Sequence, residues 1–153
     1  MPTLSRPRRH MAFVELTEGD LEPRARAACE STLFGRLEAT GVATDMVAIN
    51  ATGCFLTVDE RDVPRVRTAA ASLNVALRLR PACACVTLAR AETNWPLPSL
   101  ADVLATFCAH GLEAFQITAD TGAVDVVVAD SDAGRAAEIL AGFCRPQVAQ
   151  RVA

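Results

Sequence analysis

The sequence predicts an α+β protein made of two copies of one β-α-β-β-α-β unit, each an antiparallel sheet with its helices on one face. Three observations predict it. The chain repeats at an offset of 70 residues, placing Gly41 on Gly111, Val58 on Val128, Asp62 on Asp132 and Arg65 on Arg135. Leu33, Phe34 and Leu37 fall on Val103, Leu104 and Phe107, and Thr17 falls on Thr87. A fixed offset of this kind is the signature of a duplicated structural unit. Period-2 and helical apolar patterns then follow one another in the same order in both copies. Finally, 153 residues at 51% hydrophobic content suffice for one body or two small packed modules. A unit of about seventy residues is marginal alone, so the copies are expected to share a core or an interface.

Residues 1–10 read as a mobile Pro/Arg arm. The first unit is assigned to residues 11–80 and the second to 81–153. Met11–Thr17 reads as a strand and Glu18-Gly19-Asp20 as a turn. The helix from about Pro23 to Thr40 has Pro in its first turn and Gly41 just past its end. Asp45–Ala51 and Cys54–Val58 form a hairpin through Thr52-Gly53. Asp59 and Asp62 offer cap carboxylates to a helix with Pro64 in its first turn and Val63, Val66, Ala70 and Leu73 inward. Val75, Leu77 and Leu79 alternate with Ala76, Arg78 and Arg80, which marks a half-buried strand.

The second copy repeats this order. Cys83–Ala89 is a strand and Arg90–Pro98 a loop. Ser99 caps a helix with Leu100, Val103, Leu104, Phe107 and Cys108 on its apolar face, closed by Gly111. Ala114–Ala119 and Val124–Ala129 form a hairpin through Thr121-Gly122, and a last helix runs from Asp130–Asp132 to Cys144. Residues 147–153 are long enough to add a short final strand. This order builds a ferredoxin-like plait in each copy.

Composition narrows the function. Net charge is −3, and residues 81–153 carry four Arg against eight acids. That balance argues against nucleic acid as the main partner. Arg6, Arg8 and Arg9 precede Met11-Ala12-Phe13-Val14 and then Glu15 and Glu18, which leaves no apolar core for a secretory signal. No stretch approaches a membrane span. A cytoplasmic location, no membrane partner and six reduced cysteines are the expectations. Lys is absent, so neither a Schiff base nor a lysine phosphate clamp is available.

Catalytic chemistry finds no foothold. There is no GxSxG, HExxH, phosphate-binding glycine loop or GxGxxG. Cys83 and Cys85 share a strand face, and His10 and His110 have no ligand partner at metal spacing, so core packing is the reading and no metal or cofactor is expected. The acidic stretches 59–62 and 130–132 read as helix caps. His110 suits the negative end of its helix.

Two places per copy are candidates for a ligand. One is the turn after the first strand, at Glu18–Glu22 and Arg90–Pro98. The other is the start of the hairpin, at Thr44–Asn50 and Glu113–Thr118. Helix N-terminal amides at the first suit a carboxylate. Strand backbone and Asp45 at the second suit an ammonium. Lying side by side, the two would hold a free amino acid. Gly19, Asp20, Thr44, Asp45, Met46 and Asn50 are the candidates, with Glu92, Asn94 and Gln116 in the second copy. The plainer alternative is that Asp45 is a solvated strand-end residue and Trp95 fills a loop.

The stretch Leu37-Glu-Ala-Thr-Gly-Val-Ala-Thr-Asp-Met-Val-Ala-Ile-Asn50 resembles the segment LAEAGINVDMIVQN of aspartokinase regulatory regions. Phe55–Val58 and the helix opening at Asp62 follow as they do there. Cys85–Leu88, Val124–Val128 and Asp132–Glu138 resemble the next ACT unit of the same proteins, so the likeness spans about residues 11–145. Asp45, Met46 and Asn50 match that pattern; Ala43 and Ile49 depart from it. The resemblance implies two ACT units without a kinase domain, similar in size to a small regulatory subunit. It implies a non-catalytic regulator that binds an amino acid or related metabolite at an ACT interface, forms a homodimer, and modulates a partner such as a catalytic amino-acid kinase subunit. A ligand-free assembly module is the alternative.

Overall fold

The structure, a computed structural model, describes residues 2–90 and 96–144. The strands are β1 (Pro2–Leu4), β2 (Arg8–Thr17), β3 (Asp45–Asn50), β4 (Gly53–Asp59), β5 (Ala76–Arg90), β6 (Gln116–Ala119) and β7 (Ala123–Ala129). The helices are α1 (Pro23–Ala39), α2 (Val63–Ala70), α3 (Leu100–Ala109) and α4 (Ala133–Gly142). No helix among the described residues is long and apolar enough to cross a membrane.

Contacts divide the chain into two compact units, one of residues 10–83 and one of residues 1–9 with 84 onward. In the first, the strand order is β3-β4-β2-β5. β2 pairs antiparallel with β4 from Met11↔Asp59 to Thr17↔Gly53, and β3 pairs with β4 from Asp45↔Thr57 to Asn50↔Gly53. Its core joins Ala12, Val14 and Leu16 of β2 to Leu33 and Leu37 of α1, Leu56 and Val58 of β4, and Val66 of α2. In the second, the order is β6-β7-β5 with β1 also on β5. Its core joins Val86 and Leu88 to Val103, Phe107, Val126 and Leu140, with Leu4 packed against it.

The first ten residues differ from the free arm expected. β1 pairs antiparallel with β5 through Pro2↔Arg90, Thr3↔Ala89 and Leu4↔Leu88. Ser5 extends the ladder, its N–H donating to Thr87 O at 2.9 Å. Arg9 then binds the carbonyl and carboxylate of Asp130 at 2.9 and 3.0 Å. The outer strand of the second unit thus comes from the chain's start; residues 147–153, where a final strand was expected, lie outside the described residues. The expected boundary at residue 80 also shifts. One strand, β5, runs through it, and the division falls at residues 83/84. Non-glycine residues in the left-handed region, His10 (φ 60) and Ala82 (φ 53), stand beside the two points where the chain changes unit. Such residues cost about 1–3 kcal/mol each. The Ala82 N–H is held by the Glu60 carboxylate.

Each first helix ends as its glycine predicts. Gly41 (φ 72) donates to Glu38 O at 3.0 Å and Val42 to Leu37 O at 2.9 Å. Gly111 (φ 61) and Leu112 repeat both bonds onto Cys108 and Phe107. This paired closure satisfies the last carbonyls and returns an apolar residue to the core, as buried Val42 and Leu112 show. The expected starts of the second helices are adjusted. Residues 60–62 and 130–132 form single 3-10 turns before α2 and α4. Asp59 caps the first of these turns through the Arg61 N–H, whereas the Asp62 side chain caps nothing and pairs with Arg65 at 2.8 Å.

Gly53 is fixed by space. A Cβ there would lie 2.0 Å from Leu16 O and 3.2 Å from Thr17 Cα, both backbone atoms of the paired strand. Gly53→Ala is therefore expected to lower stability by about 3 kcal/mol, read by chemical denaturation. Gly35, in mid-α1 with nothing near its missing Cβ, is expected to behave oppositely. Gly35→Ala gains about 0.5–1 kcal/mol in the same assay.

Candidate functional site

The turn after β2 is built over a buried carboxylate. Ala12, Val14 and Leu16 face the core, and the next residue on that face is Glu18, only 4% exposed. Gly19 follows at φ 57, where glycine turns the chain at no steric cost, and Asp20 is exposed. From α1, Arg26 brings its Nε to 3.4 Å from Glu18 Oε2. Burial raises the Glu18 pKa most, the Glu30 charge raises it further, and Arg26 opposes both without cancelling them. Burial and the same two carboxylates push the Cys54 thiol up to about 12. Cys29 is raised for the same reasons, with Arg36 opposing. Two carboxylates with one close guanidinium make this interior electronegative, an environment that favours a proton or a cation.

The helix that follows keeps its first amides open. Glu22 precedes α1 and makes no side-chain cap, and Pro23 stands in its first turn. The equivalent helix of the second unit is closed. Ser99 Oγ accepts from Asp102 N at 3.1 Å while the Asp102 carboxylate accepts from Ser99 N, a full capping box. Both helices keep first-turn donors, but α1 lacks the reciprocal side-chain closure of α3 and so leaves more of them for a carboxylate.

The start of β3 is irregular. Thr44 and Asp45 are half-buried, and a bulge follows Asp45. Asp45 Oδ1 accepts from Met46 N at 2.8 Å, and its carbonyl accepts from Thr57 Oγ1 at 3.1 Å. Met46 adopts φ 48 and is buried. Bulges re-aim side chains and recur beside functional sites. Asn50 ends the strand differently. Its Oδ1 accepts from Thr52 N, Thr52 Oγ1 and Gly53 N at 2.9, 2.7 and 3.2 Å, so it builds the hairpin turn.

Register corrects one expectation. The 18–20 turn follows Thr17, which pairs with Gly53, as does Asn50. Asp45 pairs instead with Thr57, four residues along β4, a separation of about 13 Å. Gly19, Asp20 and Asn50 therefore share one end of the first unit, and Thr44, Asp45 and Met46 lie toward the other. They are not side by side within the unit, because β2 and β3 run parallel to each other through their common antiparallel partner. In the second unit, Gln116 opens β6, half-buried, opposite Val127. Glu92 and Asn94 lie outside the described residues. His110 donates from Nδ1 to Thr106 O at 2.8 Å, at the end of α3. No cluster able to hold a metal is present among the described residues.

Sequence reading missed the Glu18, Arg26 and Glu30 group. The signal was present: Glu18 continues the inward alternation of 12, 14 and 16, and Arg26 and Glu30 stand one helical turn apart on α1.

No family model and no curated protein matches the chain. Solved structures do match it in fold. In a structure of aspartokinase alpha and beta subunits, one chain is 14% identical, with 93% of this chain and 99% of that one covered at a TM-score of 0.76. The ligand-free regulatory subunit of aspartate kinase from Thermus thermophilus is 17% identical, with 92% and 95% covered at 0.73. E. coli aspartokinase III with aspartate and ADP is 15% identical, at 0.71, but the match spans only 34% of that longer chain. The chain thus has the fold of aspartokinase regulatory subunits and C-terminal regulatory regions.

Two outcomes follow from the buried charges. Glu18 binds its proton more tightly folded than unfolded, so its stabilising contribution is present below the unfolded value of 4.5 and is lost as pH rises through the higher folded value. Glu18→Gln removes this dependence and is expected to raise the melting temperature at pH 7 relative to the parent, measured by calorimetry from pH 4 to 8. Cys54, buried with its thiolate disfavoured, resists iodoacetamide at pH 8 in the native protein, whereas exposed Cys108 is alkylated, as peptide mass mapping resolves.

Proposed function

We propose that this chain is a pair of ACT units of ferredoxin-like plait that binds a free amino acid or a related metabolite and regulates a partner enzyme without chemistry of its own. The observation that carries this reading is the length of the fold match: it covers nearly all of this chain and nearly all of the chains of aspartate kinase regulatory subunits. The sequence likeness around residues 37–50 supports the same assignment. Among the matched proteins, E. coli aspartokinase III has a structure in complex with lysine and aspartate, which favours an amino acid as the effector class. The partner proposed is a cytoplasmic amino-acid kinase of the aspartokinase type.

The ligand groups are those a zwitterion needs. The uncapped amides of α1 beside Gly19 and Asp20 receive the carboxylate. Asp45, on the bulge with Thr44 and Met46, receives the ammonium. Because register separates these two places within one unit, we assign the pocket to a homodimer. β3 is an edge strand with Val47 and Ile49 exposed at 42% and 54%, an edge that needs covering. Antiparallel pairing of two such edges sets Asp45 of one copy beside Asn50 of the partner subunit, at the sheet end that also carries the partner's 18–20 turn two strands further in. Gln116, Glu92 and Asn94 are the corresponding candidates of the second unit, where the capped α3 makes a weaker carboxylate site.

The test is a thermal-shift screen with the twenty amino acids, paired with light scattering. One or more amino acids are expected to raise the melting temperature of a dimer, with about 2.7 kcal/mol gained at a hundredfold excess over Kd. Asp45→Ala is expected to abolish that shift while the unliganded melt stays within about 1 kcal/mol. A monomer at tens of micromolar overturns the shared pocket. A dimer that answers no amino acid supports a ligand-free assembly module instead. Turnover by the purified chain overturns the regulatory reading.

A further inference from the structure

Between α1 and α2 of the first unit lies a cleft of about 510 Å³. Arg36 and Thr40 line it from the end of α1, and Arg65, Thr68 and Ser72 from α2 and the residues after it. Pro64 and Ala69 supply apolar surface between them. No carboxylate lines the cleft; the Thr40 and Thr68 hydroxyls donate to backbone carbonyls of their own helices, which leaves the two arginines and Ser72 as the donors toward it. Arg36 is held across the opening: its Nη1 donates to Ala69 O and to Ser72 Oγ, both at 2.8 Å. Among the described residues no hydrogen bond uses its Nε or Nη2. Ser72 Oγ accepts from Arg36, and no bond among the described residues uses its own proton. Arg65 is steadied by Asp62 at 2.8 Å. A guanidinium fixed by one nitrogen and open at two others is arranged for a planar oxyanion.

The repeat supplies an internal comparison. At the same offset of 70, Arg36, Thr40, Thr68 and Ser72 become Thr106, His110, Glu138 and Gly142. Arg65 alone is kept, and its counterpart Arg135 is turned onto His110 O at 2.7 Å. The packing of the two helices therefore does not require the cationic set. The duplicated unit that lacks Arg36 also carries a carboxylate, Glu138, where the first has Thr68.

We propose that this cleft is a second ligand site, for a small organic anion: a carboxylate or phosphate carried on an apolar body. The oxyanion lies on Arg36 Nε and Nη2, Ser72 Oγ and the Arg65 guanidinium, and the apolar body lies on Pro64 and Ala69. The site uses none of the residues assigned to the amino acid, so it stands or falls independently of that assignment.

Titration of the isotope-labelled full chain with phenyl phosphate, benzoate and inorganic phosphate tests this by NMR. Phenyl phosphate and benzoate are expected to give saturable shifts at the Arg36 and Arg65 Nε–H and at the Ser72 amide, with no matching shifts at 106–142. Inorganic phosphate, lacking the apolar body, is expected to bind about tenfold more weakly. Thr68→Glu, which copies the second unit, is expected to weaken phenyl phosphate at least about tenfold while signals of the other unit stay in place. Should that variant fail to fold, Arg65→Glu carries the same expectation. Absence of saturation by about 10 mM overturns the site, as does undiminished binding by a folded variant. Equal affinity for inorganic phosphate overturns the role of the apolar floor.

Discussion

The pairing of residues 2–4 with 88–90 is the constraint on which the second unit rests. A sheet of three strands bearing two helices leaves one side of β5 with unpaired amides and carbonyls, and buried backbone groups left unpaired are costly. β1 supplies those partners, and Leu4 adds its side chain to the core beneath them. Ser5 and Arg9 fasten the segment further along, to Thr87 and Asp130. The unit is thereby assembled from both ends of the described chain. The first unit closes with the leading part of β5, residues 76–83, and needs no such contribution.

Burial of charge distinguishes the first unit. An inward strand position normally takes an apolar residue, and Glu18 takes it instead. Such a group must be paired, protonated or matched by a ligand. Arg26 gives a partial answer at 3.4 Å, and the raised pKa shows that it is not a complete one. The strain falls at the end of β2, next to the turn that leads into α1.

Duplication supplies two scaffolds, and small substitutions give them different chemistry. The Gly41 and Gly111 closures, the 3-10 turns and the apolar helix faces are kept in both copies. The polar groups at the helix ends are not. α1 opens without a side-chain cap where α3 carries a capping box, and the α1–α2 cleft gathers cations where the other copy has Thr106 and Glu138. Retained backbone chemistry holds the fold, so the polar helix ends are free to differ.

The repeat, the element order and most element ends are legible in the amino-acid chain alone. Glycine, proline and apolar spacing act locally, and local geometry such as the left-handed turn at Gly41 is written in two or three neighbouring residues. The sequence also marked Asp45 and Met46, where the structure has a bulge. It could not determine that Pro2–Leu4 completes a sheet eighty-odd residues away, because three residues carry no period and the pairing is decided by which edge is vacant. Nor could it say that Asp45 and the 18–20 turn stand at opposite ends of one sheet. That separation follows from register through β4, a relation among three strands. The buried Glu18 lies between these cases. Its alternation was legible, but only the packing of α1 over it decided that the carboxylate would lose its water.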